Sequence, residues 1–166
     1  MAEDVAQVGA GVAFVFLFRY VRFPDNLRGM KKTGRLLLFI VIAFLPSLSA
    51  VFVETGGWYA TVLDKPSWNP PGWIFGPVWT ALYLMIGLAG YFAWTRGGRE
   101  NRRAVFTVYG TQLLVNGLWS WLFFGLHRIG WAMGDLVLLW ILILVCIVTF
   151  RQRSCLAGWL LIPYFL

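Results

Sequence analysis

The sequence predicts an all-α membrane protein, a five-transmembrane-helix bundle with its fifth helix truncated at the C-terminus. Three observations carry this reading. Hydrophobic residues make up 60% of the 166-residue chain and charged residues only 13%, whereas a soluble domain is about 25% charged. Residues 36–53, 73–95 and 104–126 hold no charge, and 129–150 hold one, Asp135. A helix of about 20 such residues crosses a bilayer. Finally, the basic residues fall on alternate connections.

That third observation also orients the chain. Arg19, Arg22, Arg28, Lys31, Lys32 and Arg35 precede the first full span. Arg96, Arg99, Arg102 and Arg103 separate the second and third, and Arg151 and Arg153 follow the fourth. Together they are 12 of the 14 basic residues. The other side keeps Lys65 and Arg128. Positive residues collect on the cytoplasmic side, so the 54–72 loop is expected to face out. The net charge of +7 is thus a topology signal and not a nucleic-acid footprint. The expected location is a bacterial cell membrane, as a multi-pass protein in contact with membrane lipid.

The ends are unusual. Residues 5–18 form an apolar run of 14, short for a span, with acids before it and bases after it. Residues 1–30 are therefore read as an N-terminal extension: a short extra helix, an interfacial segment or sequence upstream of the native start. Leu17–Arg22 also fits a loose apolar–Tyr–basic sterol pattern. Residues 31–166 are expected to form a single transmembrane helical bundle domain, incomplete at its C-terminus. A fifth helix begins near Cys155 and has only 12 residues to Leu166. The two cysteines have no metal or haem spacing and are expected as free thiols.

Between the first two spans lies "WYATVLDKPSWNPPGWIFGPVW" (58–79), with four tryptophans and four prolines. Each proline fixes φ and pushes the preceding residue toward extended geometry. Pro77 suits the first turn of the second helix, where no N–H bond is lost. The loop is thus expected to hold Tyr59 and Trp68 in place as a rigid lid.

On the second span Trp79 and Tyr83 are one turn apart, and Gly87, a turn further, permits close helix approach. On the third span Gln112, Asn116 and Ser120 recur every fourth residue and drift about 80° around the helix. Trp119 and Phe123 share that face. An unpartnered amide in hydrocarbon costs several kcal/mol, so the stripe must face protein, water or a ligand. Helix–helix bonding and ligand contact both remain open on this evidence. A pocket between these spans would be aromatic above, amide-lined below and roofed by the loop, the usual form of a small-molecule site. Asp135, an intramembrane acid, is a functional candidate by default. Its place near the start of the fourth span also suits a structural or N-terminal helix role.

Other chemistry is sparse. His127 is the single histidine, no carboxylate–histidine set has metal spacing, and no phosphate-cradling glycine loop is present. No metal site, cofactor or catalytic residue is expected.

The string "WY…DKPSWNPPGWIFGPVWTALY" (58–83), then Gln112-x-x-x-Asn116-x-x-Trp119, "FFG" (123–125) and "IPY" (162–164), resembles the tryptophan-rich sensory protein / translocator protein family, also called the peripheral benzodiazepine receptor family. The resemblance covers roughly residues 31–166. It implies a five-helix bundle, often a homodimer, with a cavity for porphyrins and other hydrophobic ligands under the first long loop. Sterol-like lipids are further ligands of that family. Its ligand contacts fall on Tyr59, Trp79, Tyr83, Gln112, Asn116, Trp68 and Ser120, and the shared face adds Trp119. Two departures stand out. Tyr59 and Pro66 are seven positions apart, where the family has six. The family's fifth-helix Trp and its C-terminal cholesterol-recognition segment would fall after Leu166.

The expected function is therefore binding of porphyrins (tetrapyrroles) in transport, sensing or disposal. The alternatives are an enzyme for light-dependent porphyrin degradation, with Trp79 redox-active, and a structural membrane subunit that binds nothing.

Overall fold

The computed structural model describes residues 27–53 and 57–166. The apolar run 5–18 and the Leu17–Arg22 pattern lie outside the described residues, as does most of the 1–30 extension. All regular structure among the described residues is helical. In lipid this is the expected solution, because a helix satisfies its backbone polar groups within one segment.

Helix α1 (Lys32–Phe44) passes through a 3₁₀ turn, Leu45–Ser47, into α2 (Leu48–Val51). The change of pitch sits at Pro46, which has no N–H to give to the ladder. Two hydroxyls repair the break: Ser47 Oγ donates to the Phe44 carbonyl and Ser49 Oγ to the Pro46 carbonyl, each at 2.7 Å. A short helix α3 (Gly57–Thr61) and a 3₁₀ turn, Gly72–Ile74, bracket the Pro-rich loop. Then α4 (Phe75–Arg96) carries Pro77 in its first turn, as its missing N–H predicts. The remaining helices are α5 (Arg102–Ser120), continued by a π-helical turn at Trp121–Gly125, α6 (Ile129–Arg153), α7 (Cys155–Leu160) and α8 (Ile162–Phe165).

Three helical stretches among the described residues are long and apolar enough to cross a membrane: Lys32–Val51, Gly72–Arg96 and Ile129–Arg153. The third span read from the sequence corresponds to α5, which is more polar because it begins at Arg102-Arg103 and carries Gln112 and Asn116. Its two amides face protein. Gln112 and Asn116 are buried, as are Phe106, Tyr109 and Leu113 on the same helix. Helix α5 packs along α6, and α4 along α1.

Gly87 makes the α4–α1 approach possible. A Cβ there would lie 2.9 Å from the Ile40 Cα, a backbone atom that cannot step aside. Gly90, nearly one turn on, takes the Phe39 ring and the Tyr109 hydroxyl in the same way. Around it Phe39, Trp94, Phe106, Tyr109 and Phe150 interlock, with Trp94 and Phe106 edge-to-face at 5.0 Å and Tyr109 and Phe150 at 5.4 Å.

Arg153 ties this half of the bundle shut. Its Nε donates to the Ala93 carbonyl at 3.1 Å, Nη1 to Glu100 at 3.0 Å and Nη2 to Gly98. The end of α6 is thereby fastened to the end of α4 and the α4–α5 connection, gathering Arg96, Arg99, Arg102 and Arg103 at one end. A cation among C-terminal carbonyls is also favoured by the helix dipole. Both cysteines are free thiols, Cys146 buried and Cys155 exposed.

Candidate functional site

Towards the other end of the bundle, α4, α5 and α8 bring four side chains into one hydrogen-bonded chain. Tyr83 Oη donates to Asn116 Oδ1 at 3.0 Å. Asn116 Nδ2 donates to Tyr164 Oη at 2.9 Å, and Tyr164 Oη donates to Gln112 Oε1 at 3.2 Å. The helical repeat explains the set: Gln112 and Asn116 are one turn apart on α5, so one phenol can bridge both amides. The chain then ends on an unused donor, because Gln112 Nε2 is buried without a hydrogen-bond partner. A buried orphan of this kind costs about 1–3 kcal/mol and calls for an explanation.

Aromatic faces surround the amides. Trp79 lies half-buried against Tyr83, ring centroids 5.4 Å apart, and meets Tyr164 edge-on at 6.4 Å. Phe44 of α1 packs on Tyr83, ring centroids 5.4 Å apart.

A second aromatic set caps the end of α5. Trp119 stacks on Phe123 at 5.0 Å with planes 9° apart. Phe123 and Phe124 belong to the π-helical turn, whose wider pitch sends the Leu126 N–H to the Trp121 carbonyl; such turns often occur at functional sites. The Pro-rich loop docks here. Tyr59 packs against Phe123 and Phe124, and Trp58 lies 4.3 Å from the His127 ring. His127 holds a left-handed backbone, φ 53°. The loop is internally braced: Tyr59 Oη donates to Asn69 Oδ1 at 3.1 Å, and Lys65 Nζ donates to the Tyr59 carbonyl at 2.9 Å while lying over its ring.

The residues singled out from the sequence therefore separate. Trp79, Tyr83, Gln112 and Asn116 form one cluster. Tyr59 and Trp119 belong to the second set, and Ser120, half-buried, ends α5 where the π-helical turn begins. Trp68 stands apart, 81% exposed. The described part of the loop rests on the end of α5, held by Phe123, Phe124 and His127, three contacts that the lid reading did not include. Tyr164 was also missed. The signal for it was present, since two amides on one face require a partner and "IPY" supplies a phenol from the last helix. Asp135 lies in the second turn of α6, one turn inside the span, and is buried.

These features define a helical membrane protein with a buried aromatic–amide cluster between its helices. The sequence profile of the TspO/MBR family matches residues 36–166, and the chain belongs to that family. It is similar to the tryptophan-rich protein TspO of Archaeoglobus fulgidus, 40% identical over 136 residues, 81% of this chain and 86% of that one. The tryptophan-rich protein TspO of Chlorobaculum tepidum is 44% identical over 112 residues, 67% of this chain and 71% of its own. The human translocator protein is 42% identical over 109 residues, 64% of each chain.

Proposed function

We propose that the chain is a membrane receptor or carrier for flat hydrophobic tetrapyrroles, porphyrins above all, acting in their transport, sensing or disposal. The observation that supports this most is the buried Gln112 Nε2, a donor without a partner at the end of the Tyr83–Asn116–Tyr164 chain. A ligand carrying a carbonyl or carboxylate gives it an acceptor, while Trp79 and Tyr83 offer faces to a planar ring. Burying such a ring supplies most of the affinity, and the amides supply orientation. Relatives are named translocator protein and tryptophan-rich sensory protein, names that fit carriage or sensing of a small molecule.

In this reading the chain is a five-span bundle in which α7 and α8 hold the fifth position. Its arginine-rich end lies on the cytoplasmic side of a bacterial cell membrane, and it assembles as a homodimer. The test is quenching of tryptophan fluorescence by protoporphyrin in purified protein. Saturable quenching that weakens in Asn116→Ala and Gln112→Ala is expected. Equal binding by both variants and the wild type would overturn the assignment of the pocket.

A further inference from the structure

A groove on the outside of the bundle is separate from the cluster above. It is an open groove of about 470 Å³, formed by Leu118 of α5 and Leu122 of the π-helical turn with Gly130, Trp131, Gly134, Asp135 and Leu138 from α6. Leu118 is two residues past Asn116, a rotation of about 200° on a helix, so the groove faces away from the amide cluster.

Three features distinguish it. Gly130 and Gly134 leave the floor open, since a Cβ at either would meet nothing within 4 Å. Trp131, 74% exposed, rises beside them. Asp135, only 8% exposed, contributes to the lining, and its Oδ2 is buried without a hydrogen-bond partner. The acid sits about 9 Å along the axis from the start of α6, within a stretch long and apolar enough to cross a membrane. A carboxylate in that setting is stabilised by a cation or a strong donor, and among the described residues no basic side chain lines the groove.

We propose that this groove binds a membrane-dissolved amine: one protonated amino head on Asp135 and an apolar body along Leu118, Leu122 and Leu138. The indole of Trp131 adds a cation–π face to the same head. A free amine suits the site better than an ethanolamine lipid, whose phosphate would sit beside its ammonium and repel the acid. The occupant also differs in chemistry from a tetrapyrrole, which would bring acceptors to Gln112.

The full chain in phosphatidylcholine nanodiscs tests this, with dodecylamine as probe and dodecanol as its uncharged match. Asp135 should react with dicyclohexylcarbodiimide, a reagent for carboxyl groups in apolar surroundings, and dodecylamine should protect it while dodecanol does not. Both readings come from mass spectrometry of the α6 peptide on unmutated protein. Calorimetric binding of dodecylamine should weaken about 10- to 100-fold in Asp135→Asn, and Gly134→Leu, which fills the floor, should abolish it. Circular dichroism checks that both variants fold. The proposal falls if Asp135 is never labelled, if dodecanol protects equally, or if Asp135→Asn binds the amine as well as wild type. It falls also if phosphatidylethanolamine alone protects the acid. Conversion of a dimer to monomer by Gly134→Leu, with amine binding unchanged, would assign the groove to a second copy and equally overturn it.

Discussion

The two halves of this bundle use aromatic residues to opposite ends. At the arginine-rich half, Phe39, Trp94, Phe106, Tyr109 and Phe150 interlock, and the one buried phenol is satisfied: Tyr109 Oη donates to the Ile86 carbonyl at 3.2 Å. At the other half Trp79, Tyr83 and Tyr164 surround two amides, and one amide nitrogen stays unsatisfied. The first arrangement is closed packing, in which every side chain is committed to its neighbours. The second keeps polar capacity in reserve. Removing a side chain should therefore cost stability in the first half and binding in the second.

The largest effect is expected where nothing can relax. Phe106→Ala removes a ring that touches Phe39, Trp94, Tyr109 and Phe150 and should cost about 3–5 kcal/mol, read as a steep loss of thermal stability in detergent. Gly87→Val should be comparably damaging, because its Cβ meets the Ile40 backbone. At temperatures where Phe106→Ala stays folded, porphyrin affinity should be close to wild type. A parallel loss of affinity would erase the distinction between the halves.

Asn116→Ala comes next and should show the reverse balance. It breaks the bonds to Tyr83 and Tyr164. Interhelical bonds in membrane proteins average about 0.6 kcal/mol and reach about 1.7, so the stability loss should be smaller than that of Phe106→Ala. Porphyrin affinity should fall about tenfold or more, measured by fluorescence titration. A stability loss with unchanged affinity would make the stripe interhelical glue.

Tyr164→Phe sharpens the comparison because its two effects have opposite signs. Losing the hydroxyl takes an acceptor from Asn116 Nδ2 and a donor from Gln112 Oε1, which should cost about 1 kcal/mol of stability. The freed amides then face the ligand, so porphyrin affinity should hold or rise up to about tenfold. Lower affinity would mean that the phenol itself contacts the ligand.

Much of this division was legible in the sequence. Charge-free runs and clustered arginines gave the helices and their common basic end, because the cost of burying charge in lipid leaves few alternatives. Gly87 and the Gln112/Asn116 face followed from helical periodicity. Three things were not legible. The pairing of Tyr164 with the amides is one: the need for a partner showed, but Tyr164 is 48 residues from Asn116, and periodicity within one helix cannot reveal which residue of a distant helix meets it. The π-helical turn at Trp121–Gly125 shifts Phe123 and Phe124 off the regular 100° step, so an ideal helix misplaces the loop's docking surface. The Pro46 break was missed because serine repair at a proline leaves no mark on hydropathy.

The smallest effect concerns the loop, which belongs to neither half. It is held on the end of α5 by Trp58 against His127 and Tyr59 against Phe123 and Phe124, and Lys65 braces Tyr59 from within the loop through its carbonyl. Lys65→Met keeps the length of the side chain and removes its charge, and with it the bond to Tyr59 and the cation–π contact. A partly exposed contact of this kind contributes about 0.5–1 kcal/mol, so global stability should change by less than the error of a melting curve. Equilibrium porphyrin affinity should move less than about fivefold. What should change is exchange: a loop held less firmly opens more often, and stopped-flow quenching should show faster association and faster dissociation together. Unchanged rates would leave the loop a passive anchor at the interface. A loss of affinity as large as that of Asn116→Ala would instead make the loop part of the binding half.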